Sequence, residues 1–219
     1  MSQSSPTSAV DAFSPSELVV LFGDQFVPEA SMLSSKEEIL TSGVRVNSQT
    51  LMEKAMHAAV WALRRDAAIG LEIRQGKALF GLIKTRKLHL VRGTASGSYP
   101  EGSLEAHLVA AAEMENELDA VLAAFIGQDS NDPPARAIGL MKRGLSSRGL
   151  LEVEEKKTLM VFTTVAYTLP ASTRELASRH SVQPIKQLLA EVERREPEMF
   201  KAVDKAIDSA RVKMTEVRD

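Results

Sequence analysis

The chain has no cysteine. That excludes a disulfide framework, thiolate metal sites and a cysteine nucleophile, and it points to an intracellular setting. No run reaches the roughly 18 consecutive apolar residues that a spanning helix needs, because Arg and Glu interrupt every hydrophobic stretch, so any membrane role is expected to be peripheral. Residues 1–16 are rich in Ser, Pro and Ala and lack both a basic leader and an apolar core, so they read as a tail, not a secretory signal. Charge of one sign is also lacking: 27 Lys and Arg stand against 29 Asp and Glu, for a net charge of −2. Such a balance argues against a nucleic-acid partner held by bulk electrostatics.

Chemistry-bearing motifs are equally scarce. His57, His89, His107 and His180 sit in unrelated segments without metal-ligand spacing, so no metal is expected. There is no G-x-S-x-G elbow, and Ser96 sits beside Gly97 in a loop-like stretch without a strand-to-helix context. Residues 93–102 contain glycines but neither G-x-G-x-x-G nor a G-K-[ST] ending, which leaves a nucleotide cofactor without support. Glu113, Glu115 and Glu117 fall within an apparent helix, where a spacing of two scatters them around the axis and forms no acid/base pair. The sequence therefore points to a protein that is not an enzyme and needs no cofactor.

What is present is the material of a core. Of 219 residues, 44% are hydrophobic and 26% charged, an ordinary globular composition that suits one compact domain over residues 15–219 behind a flexible tail at 1–14. Ser14, Pro15 and Glu17 form a capping-box signature for a helix over about 15–26. Ser34 and Glu37 repeat that pattern ahead of Ile39 and Leu40, with Gly43 as a stop and a short strand over 44–46. Leu51, Ala55, Ala58, Ala59, Ala62 and Leu63 mark a buried helix from Ser48, with a polar break or face at Arg64, Arg65 and Asp66. Ile69, Ile73, Leu79, Phe80, Leu82 and Ile83 continue with helical spacing to about Lys84, and Leu88 to Val91 alternates like a strand.

After the loop at 93–102, Leu104, Leu108, Ala111, Ala112, Leu118, Leu122 and Phe125 describe one long helix to about Gly127. Asp132 and Pro133 open a helix that Gly149 ends. A hairpin follows, with strands over 150–153 and 159–168 and a polar turn at Glu154–Lys157. Ser172 and Glu175 begin a further helix, and the chain from 184 to 217 is helical with a restart at Pro197. The expected fold is mainly α, a compact helical domain with short β-hairpins, in which one helix-hairpin-helix unit has the order of a winged helix.

Three features admit two readings. Arg64, Arg65, Arg74, Lys77, Lys84, Arg86, Lys87 and Arg92 form a basic block, and Glu101, Glu105, Glu113, Glu115, Glu117 and Asp119 an acidic one. They either coat the surface and pair with each other, or the basic block is a face for phosphate groups. Trp61, the only tryptophan, is either core or the wall of a ligand pocket. Leu159, Met160, Val161 and Phe162 are apolar on successive positions, which fits a strand buried on both faces or a protruding edge that meets lipid or another subunit.

Two stretches resemble the Golgi phosphoprotein three family. Gly81 to Leu90 (GLIKTRKLHL) is similar to the family's helix-to-strand step, E-L-A-L-R-G-R-L-x-L, and Leu145 to Leu169 (LSSRGLLEVEEKKTLMVFTTVAYTL) is similar to its L-V-x-K-G-V-L segment, hydrophobic hairpin and closing P-L-T. With the helices around them, the resemblance covers roughly residues 50–180. It implies a non-catalytic helical fold that binds phosphoinositide head groups, as eukaryotic members do, and forms homo-oligomers through the hairpin residues Leu159, Met160, Val161 and Phe162. The family's lipid site uses a tryptophan, a following arginine and an arginine pair one turn before the second motif. Trp61 and Arg74 occur in that order at a wider spacing, Arg136 falls near the pair, and Arg143 lies two turns further on.

The expectation is then a peripheral membrane or adaptor-like scaffold, cytoplasmic, taking anionic lipid head groups through Trp61, Arg74, Arg136 and Arg143. The alternative is a winged-helix DNA-binding regulator that reads a groove with the helix over 133–148 and contacts the backbone through Lys156 and Lys157. An enzyme acting on an uncharged molecule in an apolar pocket is a third class.

Overall fold

The computed structural model describes residues 12–31, 34–78, 83–127, 131–158 and 162–212, with backbone alone at 76–78, 83–85, 155–158 and 162–164. Its elements run α1 (Pro15–Leu21), β1 (Lys36–Glu38), β2 (Arg45–Asn47), α2 (Ser48–Arg65), β3 (Ile69–Ala78), β4 (Ile83–Arg92), α3 (Leu104–Ala112), α4 (Leu118–Ile126), α5 (Pro133–Ser147), β5 (Glu152–Thr158), β6 (Phe162–Thr168), α6 (Ala171–Ser178), α7 (Gln183–Arg195) and α8 (Pro197–Val212). The fold is mainly helical with three antiparallel hairpins, β1–β2, β3–β4 and β5–β6. Phe13 and Ser14 are already buried, and the tail expected ahead of them lies outside the described residues up to residue 11.

Helix α2 is the central post. Asn47 caps it, its side-chain oxygen accepting from the Thr50 amide at 2.9 Å, and Arg64 and Arg65 oppose the dipole in the last turn. Leu51, Met52, Ala55, Met56, Ala59 and Leu63 are fully buried, and α1, α3, α5, α7 and α8 all pack on this helix. It stops in a Schellman turn: the Ala68 amide donates to the Leu63 carbonyl at 2.9 Å and the Ala67 amide to the Arg64 carbonyl at 3.1 Å, with Ala67 at φ 54°. Helix α5 ends in the same motif on Gly149, at φ 73°, where the sequence placed the stop.

Five expectations are corrected. The pattern at Ser34 and Glu37 caps no helix: the segment is the hairpin β1–β2, with Gly43 at its turn at φ 74°. The helix expected from Ile69 to about Lys84 is strand over 69–78 and from 83, since Ile69, Leu71 and Ile73 face Arg92, Leu90 and Leu88 across β3–β4 and pack on the core with period two, while Leu79, Phe80 and Leu82 lie outside the described residues. The long helix over 104–127 is two helices, α3 and α4, parted at 113–117 where Glu115 takes φ 51° and Asn116 receives the Leu90 amide at 2.9 Å. Glu154–Lys157 is strand and no turn, pairing with Thr163–Ala166. Helix α1 is shorter than expected, ending at Leu21 before a 3₁₀ turn. The helix at Asp132–Pro133, the order helix, hairpin, helix in α5, β5, β6 and α6, and the restart at Pro197 all stand as the sequence indicated.

Candidate anion-binding cleft

Helix α8 presents Glu198, Lys201, Ala202, Lys205, Ala206 and Ser209 as one stripe, in which 198, 201 or 202, 205 or 206, and 209 follow one another at three or four positions. That stripe lies across the middle of the β3–β4 hairpin and leaves a cleft of about 500 Å³. The hairpin's pleat sets the opposite wall. Arg86 is one step beyond Leu88 on the face that carries Leu90, so its side chain emerges where the core face runs out, and Ile73, the partner of Leu88, lies beside it. Asp119, at the start of α4, closes one side.

Four cations thus line one cleft: Arg86, Lys87, Lys201 and Lys205. Lys87 is committed, donating to Glu117 at 2.9 Å and to Asp119 at 3.3 Å, and those bonds, Glu117 first, hold its ammonium above its ordinary value of 10.5. Lys201 has only a loose contact with Glu198, at 3.9 Å between two well-exposed side chains. Arg86 and Lys205 make no ion pair among the described residues. Under this rim the floor is Ile73, Leu88, Ala202 and Ala206. Apolar depth with a few placed charges is the usual make-up of a small-molecule site.

The basic and acidic blocks of the sequence do pair, and they do so across the α3–α4 junction. Arg92 meets Glu113 at 3.2 Å, Arg74 meets Glu115 at 2.9 Å, and Lys87 meets Glu117. Since 113–117 is not helical, the spacing of two aims the three carboxylates at one hairpin.

The four expected ligand residues are dispersed. Trp61 is core: its indole donates to His57 Nδ1 at 3.1 Å, so the imidazole proton sits on Nε2, 2.7 Å from Asp204, and Phe200 stacks on the imidazole. Arg64 lies over the indole at 5.2 Å, in a shallow second cleft whose arginines are spoken for, Arg64 by Glu196, Arg65 by Asp66 and Arg195 by Glu191. Arg74 is held by Glu72 and Glu115, and those hydrogen bonds, Glu72 first, raise its pKa above the ordinary guanidinium value. Arg136 and Arg143 are exposed on one face of α5 and make no ion pair among the described residues. No hydrogen bond or ion pair among the described residues joins any two of these four. Leu159, Met160 and Val161 lie outside the described residues, and Phe162 begins β6.

Sequence reasoning held Arg86 and Lys87 only as members of a block and missed Lys201 and Lys205 altogether. The signal available was the three-and-four spacing along 198–209, which looks like any solvated helix face until the hairpin lies against it.

A second charged cluster, away from the cleft, also escaped the sequence. Glu17 and Glu105 are both fully buried. Glu105 accepts from the Ser16 amide and hydroxyl, both at 2.8 Å, while Glu17 accepts from the Ser14 amide at 2.9 Å and pairs with Arg148. Burial pushes both carboxyls above the usual range, and Arg148 offsets part of that for Glu17. Two acids against one base in a buried site keep proton affinity high; they line neither of the two clefts above, and their bonds brace α1 against α3 and α5.

Among the described residues, no group of three or more His, Asp or Glu is placed to hold a metal ion, and no helix is long and apolar enough to cross a membrane. Comparison of the chain with family models, with curated proteins and with solved structures finds no match in any of the three.

Proposed function

We propose that this protein is a non-enzymatic scaffold that docks on anionic membrane surfaces through the rim of the α8 cleft. One observation carries the reading: Arg86, Lys201 and Lys205, from two elements far apart in sequence, stand together around an apolar floor with little internal neutralisation. Peripheral binding needs two weak signals acting together, charge attraction to anionic head groups and burial of some apolar surface. The rim supplies the first and the floor the second. Guanidinium and ammonium groups left unpaired at a rim are also the ones free to exchange water for phosphate oxygens.

A winged-helix regulator has one observation in its favour, the free Arg136 and Arg143 on the exposed face of α5, the helix ahead of the β5–β6 wing. That wing carries Glu152 and Glu154, both exposed, which repel a phosphate backbone. The cleft therefore supports the surface reading better.

Flotation of the purified protein with phosphatidylcholine vesicles, with and without phosphatidylglycerol, tests it. Wild type floats only with the anionic lipid at low salt, is released at about 0.5 M salt, and the Lys201→Glu, Lys205→Glu double variant stays at the bottom. Failure of wild type to float at low salt, with retardation of random duplex DNA in its place, overturns the proposal in favour of the regulator.

A further inference from the structure

Contact with a charged surface uses the rim of the α8 cleft and some burial on its floor, and the make-up of that floor narrows what can enter. Below the rim, Leu88 and Ala206 are each 7% exposed, and together with Ile73 and Ala202 they form a floor that offers no hydrogen-bonding side chain. A sugar or nucleotide placed there would leave hydroxyls or ring nitrogens unpaired, which disfavours it. An alkyl chain has no such need and gains with every methylene removed from water. The aliphatic stems of Lys201 and Lys205 extend the same apolar wall toward solvent.

The charge count narrows the ligand further. Lys87 is already neutralised by Glu117 and Asp119, and Lys201 is shared loosely with Glu198. Arg86 and Lys205 remain, enough for one anionic group of charge near −1 to −2 and too few for a polyphosphate.

We infer that the cleft binds a single-chain amphiphile, an alkyl chain ending in one phosphate or carboxylate, with the chain on the Ile73, Leu88, Ala202 and Ala206 floor and the head held by Arg86 and Lys205. This rests on the anionic-surface reading of the same site and deepens it: the ligand is recognised by its chain as well as its charge, whether drawn from a bilayer or taken from solution.

Calorimetric titration of the full chain with octyl phosphate, inorganic phosphate and octyl glucoside separates chain from charge. Octyl phosphate binds at least about 10-fold more tightly than either control, and Ala202→Phe, which fills the floor, and Arg86→Glu, which reverses the head contact, each weaken it about 10-fold. The inference is overturned by inorganic phosphate binding as tightly as octyl phosphate, by no heat with octyl phosphate, or by both variants binding as wild type does. Circular dichroism checks the fold of Ala202→Phe; were that variant unfolded, Arg86→Glu, at an exposed strand position, decides alone. Flotation of the same proteins keeps the two claims apart. Wild type that binds octyl phosphate yet floats with no vesicle sinks the surface reading only, whereas wild type that floats but prefers octyl phosphate to phosphate by nothing sinks the amphiphile only.

Discussion

Two charged clusters of this molecule contain the same side-chain types and behave oppositely. At the knot of α1, α3 and α5, Glu17, Glu105 and Arg148 are enclosed, with acids in excess over bases and serine hydroxyls and amides filling the remaining valences. At the cleft of β4 and α8, cations are in excess, open to solvent, and only Lys87 is firmly paired. The first arrangement spends its charge on internal order, since a dry charge has nowhere else to go. The second leaves charge uncommitted, which is what an external partner requires. Burial, not composition, separates structural ions from binding ions here.

The largest test of that contrast is Arg148→Met. Its guanidinium pairs with Glu17, donates to the Ala12 carbonyl at 2.8 Å and to the Gly144 carbonyl at 3.0 Å, so its removal leaves a buried carboxylate alone. Urea unfolding at neutral pH registers a loss of about 3 kcal/mol. A loss below about 1 kcal/mol, the range of exposed pairs, would mean that the knot is wet and the contrast wrong.

Much of the helical skeleton could be read from local signals, and the departures have local causes. Gly149 announced the end of α5 because a left-handed residue is usually glycine, whereas Ala67 performs the same turn after α2 without the usual mark. With that stop hidden, Ile69 and Ile73, four apart, passed for the next turns of a helix, although Leu71 between them keeps a strand's alternation. Glu115 hid the break between α3 and α4 in the same way, by taking φ 51° as a non-glycine residue. The candidate site was less legible. Arg86 and Lys205 come together only because α8 returns across the β3–β4 hairpin, and no local pattern encodes a contact between elements so far apart. The buried carboxylates were hidden for a related reason: Glu17 served as a capping residue in the sequence, and its second role depends on where Arg148 arrives.

The knot also predicts a pH response of definite sign. Burial raises Glu17 and Glu105 above their ordinary 4.5 in the folded chain. The folded state therefore holds these protons more tightly than the unfolded state, and their contribution to stability is fully present below 4.5 and lost as pH rises through the folded values. Glu105→Gln removes one of the two titrations while an amide still accepts from the Ser16 amide and donates to its hydroxyl. Urea unfolding of the pair across pH is expected to show the variant matching wild type at acid pH and gaining on it steadily toward neutrality. A difference that stays flat with pH, or that shrinks, removes the buried proton from the account.

The smallest expected effect lies at the cleft, and its smallness is informative. Lys87 and Glu117 are each 37% exposed, so their attraction competes with water and is screened by salt. Lys87→Met is expected to cost about 0.5–1 kcal/mol at low salt, less in about 1 M salt, while the loss from Arg148→Met stays unchanged between the two because ions do not reach the knot. Paired unfolding curves of both variants at both salts read this directly. Should the Lys87 variant prove as costly as the Arg148 one and as indifferent to salt, the β4 ion pairs would be structural like the knot. The uncommitted charge of the cleft would then reduce to Arg86, Lys201 and Lys205 on a rigid frame, and the anion they attract would meet a site built in advance instead of one that rearranges to receive it.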